Sequence, residues 1–417
     1  MRLLHTSDWH LGQTLHTFDR TYEHACFLDW LVATLAAEEI DVLLIAGDIF
    51  DNANPSAAAH RQLYRFLQQA RSRVPHLQVV VIAGNHDSPG RLEAPTPLLE
   101  AHGTIVVGNV ARAPDGSVDL ERLLVPLRRR DGTVAAWCLA VPFLRPGDVP
   151  RAAAEDASTA LDPYLHGTAL LYRQAFALAQ SRCTGNEAIV AMGHCHMVDG
   201  QSSQDSERRI VIGGTEALPA SMFDPAVAYV ALGHLHLAQR VGGHEHRRYC
   251  GSPLPLSFSE VGYQHQVLRI ELDGPAAKSV TPLPVPRAVQ LLRVPSQPAP
   301  IDEVLAALDA LELPEAPPHQ QPFLEVRVLL EGPEPGLRAR VEAALSGKPV
   351  RLAKIEPTRR HAAPDSVEEA LSLDQLAQLQ PDDIFRRLWT QRYGDEAPPE
   401  QLAAFAELTT ALGGDAA

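Results

Sequence analysis

Seven residues of this chain carry donor atoms suited to a metal site: Asp8, His10, Asp48, Asn85, His194, His234 and His236. They close five apolar runs, RLLHTSDWH (2–10), DVLLIAGD (41–48), LQVVVIAGNHD (77–87), EAIVAMGH (187–194) and VAYVALGHLH (227–236). The donors are carboxylate, amide oxygen and imidazole, with no thiolate. Such a set suits borderline-hard divalent ions, Mn²⁺ above all with Mg²⁺ or Fe²⁺ as alternatives, and argues against a structural zinc site. Two ions ~3.5–4 Å apart that share a carboxylate are the arrangement used for displacement at phosphorus.

Spacing adds two expectations. A glycine precedes the donor in Gly47-Asp48, Gly84-Asn85, Gly193-His194 and Gly233-His234, where a Cβ would obstruct a close approach. If strand conformation persists, Asp8 and His10 share a face, as do His234 and His236. The same alternation applies to His194 and His196, so spacing alone leaves open how many histidines of GHCH (193–196) and GHLH (233–236) are ligands.

The elements that must bring these residues together are legible in the pattern. Runs of Val, Ile and Leu suit strands buried on both faces. Helical patterns at 21–39 and 56–73 separate the first three runs, the alternation of an α/β fold. Hairpins are expected at Asp131-Gly132 and near Gly242-Gly243. We therefore expect two packed sheets with helices outside, in a first domain over residues 1–283. The Pro-rich TPLPVPRAV (281–289) looks like a linker. A small βαβαβ domain is expected over 286–360, its first strand at Val289–Val294. A helical tail (365–417) follows, with Ile384, Leu388 and Trp389 on one amphipathic segment.

Composition bounds the function. A 417-residue chain with 45% hydrophobic content can bury a full core and more than one domain. The net charge of -15 argues against nucleic-acid binding by bulk electrostatics, though not against binding through metal ions or a local basic patch. The one dense basic run, Arg128–Arg130, sits beside a turn and reads as a solvated hairpin tip. Five scattered cysteines, with no secretory segment, imply reduced thiols. Without an apolar leader or an eighteen-residue apolar run, a cytoplasmic protein that does not enter the membrane is expected, associated with the nucleoid when on DNA.

The ordered motifs DWHLG (8–12), GDIFD (47–51), GNHD (84–87), GH (193–194) and GHLH (233–236) resemble the calcineurin-like metallophosphoesterase superfamily. Its fold is a two-sheet α/β sandwich flanked by helices. Within it, HTSDWHLG, GDIFDNANPS and the small mixed domain plus helical tail are similar to bacterial exonuclease subunits of ATP-dependent DNA end-processing complexes. The small domain would then be a cap.

The resemblance implies one metal held by Asp8, His10, Asp48 and His236, and a second by Asp48, Asn85, His194 and His234. His196 is then a bystander, and Cys195 a structural thiol. It further implies that His86 sits beside the phosphate as a proton donor, with Asp87 orienting His86 or a ligand unless it is a plain turn residue. Asp51 would support the site or cap the helix starting near Ser56. The implied reaction is DNA phosphodiester hydrolysis, as a 3′–5′ double-strand exonuclease and a single-strand or hairpin endonuclease, in DNA repair, recombination and replication. The implied partners are DNA, an SMC-like coiled-coil ATPase docked on Ile384, Phe385, Leu388 and Trp389, and a second copy in a heterotetramer. That homodimer would form through Ser56–Arg73 and Ala94–His102, although Tyr64, Phe66 and Leu67 could equally face the protein's own core. Two other classes stay open: a phosphatase or cyclic-nucleotide phosphodiesterase on the same site, and a non-catalytic scaffold.

Overall fold

The computed structural model describes residues 1–150, 162–198, 200–203, 217–332 and 334–359, with residues 385, 386, 389, 390, 398, 401, 402 and 405 of the tail. Met1–Arg359 form one compact unit and Arg360–Ala417 a second.

Strand β1 (Arg2–Thr6) leads through a short hairpin, β2 (Thr14–Leu15) and β3 (Phe18–Asp19), to helix α1 (Thr21–Ala37). Then come β4 (Val42–Ala46), α2 (Ala57–Arg73) and β5 (Gln78–Ile82). Two short helices, α3 (Pro89–Glu93) and α4 (Thr96–Glu100), precede β6 (Thr104–Val107). A hairpin of β7 (Leu124–Arg128) and β8 (Val134–Ala140) turns at Gly132 as expected. Helix α5 (Pro163–Arg182) is followed by β9 (Ala188–His194) and β10 (Tyr229–Gly233). Two antiparallel pairs complete this part: β11 (Gln239–Val241) with β12 (His244–Tyr249), and β13 (Gln266–Asp273) with β14 (Ala276–Pro284).

These strands make two six-stranded sheets, ordered β14-β13-β1-β4-β5-β6 and β11-β12-β10-β9-β8-β7. Strand alternation explains why they stack. From the first sheet Leu3, Val42, Leu44, Val80 and Ile82 join Cys138, Val190, Met192 and Ala231 of the second in one core. Their neighbours Leu4, Leu43, Ile45, Val79 and Val81 face the other way, onto Phe27 and Leu31 of α1 and Leu63 and Phe66 of α2. Each fully buried Leu, Ile or Val of this kind stabilises the fold by roughly 1.5–3 kcal/mol. The expected architecture, two packed sheets with helices outside, is the one observed.

The supposed linker at 281–289 is in its first half a strand. Pro282 and Pro284 lie in β14, opposite Leu268 and Gln266. This strand is at the sheet's edge, where the missing N–H of proline faces away from any partner.

Strand β15 (Leu291–Ala299), α6 (Ile301–Asp309), β16 (Phe323–Leu330), α7 (Leu337–Ala344) and β17 (Arg351–Arg359) form a βαβαβ unit with a parallel sheet ordered β15-β16-β17. The first strand begins two residues later than expected and runs five further. The unit has its own core of Val304, Leu308, Leu324, Val326, Val328 and Val341. On the other face, Leu291 and Phe323 pack with Leu15 and Phe258 in a separate cluster. Among the described residues, no helix is long and apolar enough to cross a membrane.

Candidate metal centre

The five apolar runs end in strands shorter than the alternation implies. β1 stops at Thr6, β4 at Ala46, β5 at Ile82 and β10 at Gly233, while β9 reaches His194. Beyond them the chain curls: Asp8 (φ 55°), His10 (φ 47°), Asp48 (φ 49°) and His234 (φ 104°) all adopt left-handed conformations. They are four of the six non-glycine residues with positive φ among those described. Such a conformation costs about 1–2 kcal/mol per residue and persists only where the surroundings enforce it. Here backbone bonds do so, from the Asp8 N–H to the Gly47 carbonyl (3.0 Å) and the His10 N–H to the Asp48 carbonyl (3.1 Å). Asp8 and His10, and likewise His234 and His236, therefore converge through strained loops and not through strand alternation.

The expected glycine role holds in its geometric part. A Cβ on Gly84 would lie 2.1 Å from Asp48 Oδ1, and one on Gly233 would lie 1.9 Å from the Ala46 carbonyl oxygen.

All seven candidate ligands are brought together. The ligating atoms of Asp8, His10 and His236 lie within 4.8 Å of one another, and so do those of Asp8, Asp48 and His194. Asp8 is common to both groups, and Asp48 Oδ2 of the second lies 3.4 Å from His194 Nε2 and 3.7 Å from His10 Nε2 of the first. Asn85 Oδ1 is 2.9 Å from His194 Nε2 and 3.0 Å from His234 Nδ1. Asp8 accepts the His234 backbone N–H (3.0 Å) and the Ser7 hydroxyl (2.5 Å).

The electrostatics favour a cation at this place. Burial holds the Asp8 carboxyl above its usual range. Burial alone would raise Asp48 too, yet His194 and His10 hold it well below the carboxylate range. Burial would lower His194, but Asp48 beside it lifts that imidazole to about 9. His234 is held well below its ordinary value by burial and then by the charge on His194. Ionised Asp48 thus demands positive charge within a dry pocket. His10 Nε2 is buried with no hydrogen-bond partner and lies 3.7 Å from Asp48 Oδ2, where a metal ligand would present its lone pair. The donor set and this orphaned nitrogen fit divalent metal ions.

A supporting layer fixes the imidazoles. His194 Nδ1 donates to the Ala46 carbonyl (2.8 Å), and His10 Nδ1 lies 3.4 Å from the Asp51 carboxylate. His236 Nδ1 bonds Glu260 Oε1 (2.9 Å), while Glu260 Oε2 accepts the Leu256 N–H (2.7 Å). In each case the Nδ1 contact turns Nε2 inward. Glu260 is fully buried and was missed by sequence reasoning; the only signal is a carboxylate within the otherwise uncharged SPLPLSFSE. Glu260→Gln should weaken binding of one metal equivalent by ~10–100-fold. Calorimetric titration reads this directly, and unchanged affinity would remove Glu260 from the site.

His86 lies at the rim. Its backbone N–H donates to Asp48 Oδ1 (2.8 Å) and its ring Nδ1 to the Asp51 carbonyl (2.7 Å), so Nε2 is the nitrogen left to meet a substrate. Of the roles expected for Asp87, support of His86, support of a ligand or a plain turn residue, its bonds match the second. Its carboxylate accepts the backbone N–H groups of Ile49 (3.2 Å), Phe50 (3.0 Å) and Gly84 (2.9 Å), which ties the two loops bearing Asp48 and Asn85. Burial and the neighbouring Asp48 raise Asp87 to about 6. Asp51 is not the helix cap, since Ser56 Oγ itself accepts the Ala59 N–H at 3.2 Å.

His196 stands outside the groups above, its Nε2 3.4 Å from the Gly200 carbonyl and its ring 6.2 Å from that of His234. Cys195 Sγ contacts Met197 Sδ at 3.7 Å, and burial pushes its thiol up to about 12. In the tail, Phe385 and Trp389 are helical, with rings 5.7 Å apart, and Phe385 stacks on Phe405 at 4.3 Å. Ile384 and Leu388 lie outside the described residues.

Two family models match the chain. One described as calcineurin-like phosphoesterase covers residues 1–238, and one described as Type 5 capsule protein repressor C-terminal domain covers residues 287–393. The chain is similar to a protein of Rhodobacter capsulatus named as the D subunit of the nuclease SbcCD, at 44% identity over 366 residues, 87% of this chain and 89% of that one. A protein of the same name from Escherichia coli strain K12 is 33% identical over 405 residues, 96% of each chain. One from Bacillus subtilis is 36% identical over 272 residues, 65% of this chain and 66% of that one.

Proposed function

The chain belongs to the calcineurin-like phosphoesterases, among the SbcD-type nucleases, and on that premise we propose that its centre is a two-metal site hydrolysing DNA phosphodiesters. Asp8, His10, Asp48 and His236 would hold one ion, and Asp48, Asn85, His194 and His234 the other. The observation that carries this reading is the place of Asp48 Oδ2 between His10 and His194. Mn²⁺ is the metal best matched to the donors, ahead of Mg²⁺ and Fe²⁺. Ions held there supply an acidified water as nucleophile and neutralise charge on the phosphate.

The chain's own residues do the rest. Asp48 aligns the two sides and, through the His86 N–H, fixes the position of that residue. The Asp51 carbonyl holds the His86 ring so that Nε2 can donate a proton to the leaving sugar oxygen. Gly84 and Gly233 let the loops close around Asp48 and His194.

The substrate reading is a 3′–5′ double-strand exonuclease and a single-strand or hairpin endonuclease, serving DNA repair, recombination and replication in the cytoplasm and on the nucleoid. The domain division goes with it: a catalytic part at 1–283, a cap at 286–360 and a docking tail at 365–417. The name shared by the relatives supports a complex with a subunit of the SbcC type, which we read as the SMC-like coiled-coil ATPase. We place its dock on the tail around Phe385 and Trp389. A chain ending before Asp365 should therefore no longer co-purify with the ATPase; retained binding would move the dock elsewhere. Exposed Tyr64 on α2 and Leu98 on α4 support a homodimer within a heterotetramer through those helices.

Purified protein, with and without the ATPase, should cleave labelled duplex or hairpin DNA in Mn²⁺. Hydrolysis of a chromogenic monoester without DNA cleavage would favour a small-ester phosphatase, and metal binding without any hydrolysis a scaffold.

A further inference from the structure

Arg20 is fully buried, and nothing in the chemistry above uses it. Its guanidinium donates to both carboxylate oxygens of Glu23 (2.9 and 2.6 Å), to Gln13 Oε1 (2.8 Å) and to the Pro255 carbonyl (2.7 Å). Gln13 is bound on both sides. Its backbone N–H donates to the His10 carbonyl (2.9 Å), and its Nε2 to the Leu256 carbonyl (2.8 Å). The Leu256 N–H in turn donates to Glu260, which holds His236. A continuous set of bonds therefore links His10 to His236 behind the site, and their rings lie 5.4 Å apart.

Both ends belong to the same metal position, the Asp8, His10 and His236 group. Packing alone does not account for such a device. Taking a guanidinium out of water costs several kcal/mol, and a buried ion pair is often no more stabilising than apolar residues of the same volume. What the planar fork of arginine adds is direction, because its donors leave at fixed angles. The loop at 10–13 and the loop at 255–260 are thereby held at one separation.

We propose that Arg20 and Gln13 are positioning residues that set the spacing of His10 and His236, and with it the affinity of one of the two metal positions. This rests on the two-ion reading above.

The test is a calorimetric Mn²⁺ titration of the full chain, wild type beside Gln13→Ala and Arg20→Lys. Anomalous scattering locates each ion, and unfolding temperatures are taken in chelator. Gln13→Ala should bind one equivalent as the wild type does and the other ~10–100-fold more weakly. The weakened ion should be the one beside His10 and His236, with the unfolding temperature in chelator unchanged. Arg20→Lys keeps the charge and loses the fork, and should show the same selective loss; if it fails to fold, the half-buried Gln13 position carries the test. Two equivalents bound with wild-type affinity in Gln13→Ala would overturn the proposal. So would equal weakening of both in step with a lowered unfolding temperature. A wild type that binds no ion would instead sink the two-ion reading, and the clamp with it.

Discussion

Asp48→Asn should leave the protein folded, release both ions and lower DNA cleavage by at least ~10³-fold, beyond the ~10²–10³ lost with a single charge-stabilising donor. The shape is retained, so the effect isolates charge and donor pattern. Asp48 Oδ1 accepts the His86 N–H, and Oδ2 faces His194 and His10. An amide can offer only one acceptor oxygen. If that oxygen meets His86, the NH₂ points into the metal position; if it turns inward, the NH₂ opposes the His86 N–H. Either way one side of the site is lost, and the negative charge shared by both ions is gone. Elemental analysis of the folded variant gives the result, and retention of two ions would refute the bridging role.

His86→Ala should keep both ions and reduce DNA cleavage by ~10²–10⁴-fold, the span of general acid catalysis. The backbone N–H that bonds Asp48 survives the substitution, while the ring held by the Asp51 carbonyl does not. The ring has a rival role, because His86, His10 and Asp51 also place ligating atoms within 4.8 Å of one another. Metal content decides between the two, since a ligand role means an ion lost. The leaving group provides a second readout. A nitrophenyl diester departs without protonation, so its hydrolysis should fall by less than ~10-fold in the variant. Equal losses on both substrates would contradict proton donation by His86.

How much of this could be read in advance differs from residue to residue. Buried strands announce themselves through uninterrupted Val, Ile and Leu, and the polar residue closing each run marks the strand's end. Asp8, His10, Asp48, Asn85, His194, His234 and His236 were found that way, and they do converge. The route of convergence was not legible. Alternation assumes extended backbone, whereas Asp8, His10, Asp48 and His234 curl into left-handed conformations enforced by bonds between distant loops.

Which of its expected partners Asp87 would meet was not legible for a related reason. In the tight turn Gly84–Asp87 the carboxylate folds back onto backbone N–H groups, and the ring of His86 is held by a carbonyl thirty-five residues away. Glu260 and Arg20 act through partners that spacing cannot indicate, His236 for one and the Pro255 carbonyl for the other. Strand β14 escaped because proline was taken as a breaker, which it is not on a sheet's edge.

The central claim is that hydrolysis needs two ions bridged by Asp48. Single-turnover cleavage of a hairpin DNA, measured in metal-depleted protein as Mn²⁺ equivalents are added, tests it most directly. Activity should stay near background through the first equivalent and rise with the second, with Asp48→Asn flat throughout. Full activity at one equivalent, or cleavage that persists in chelator, would contradict it.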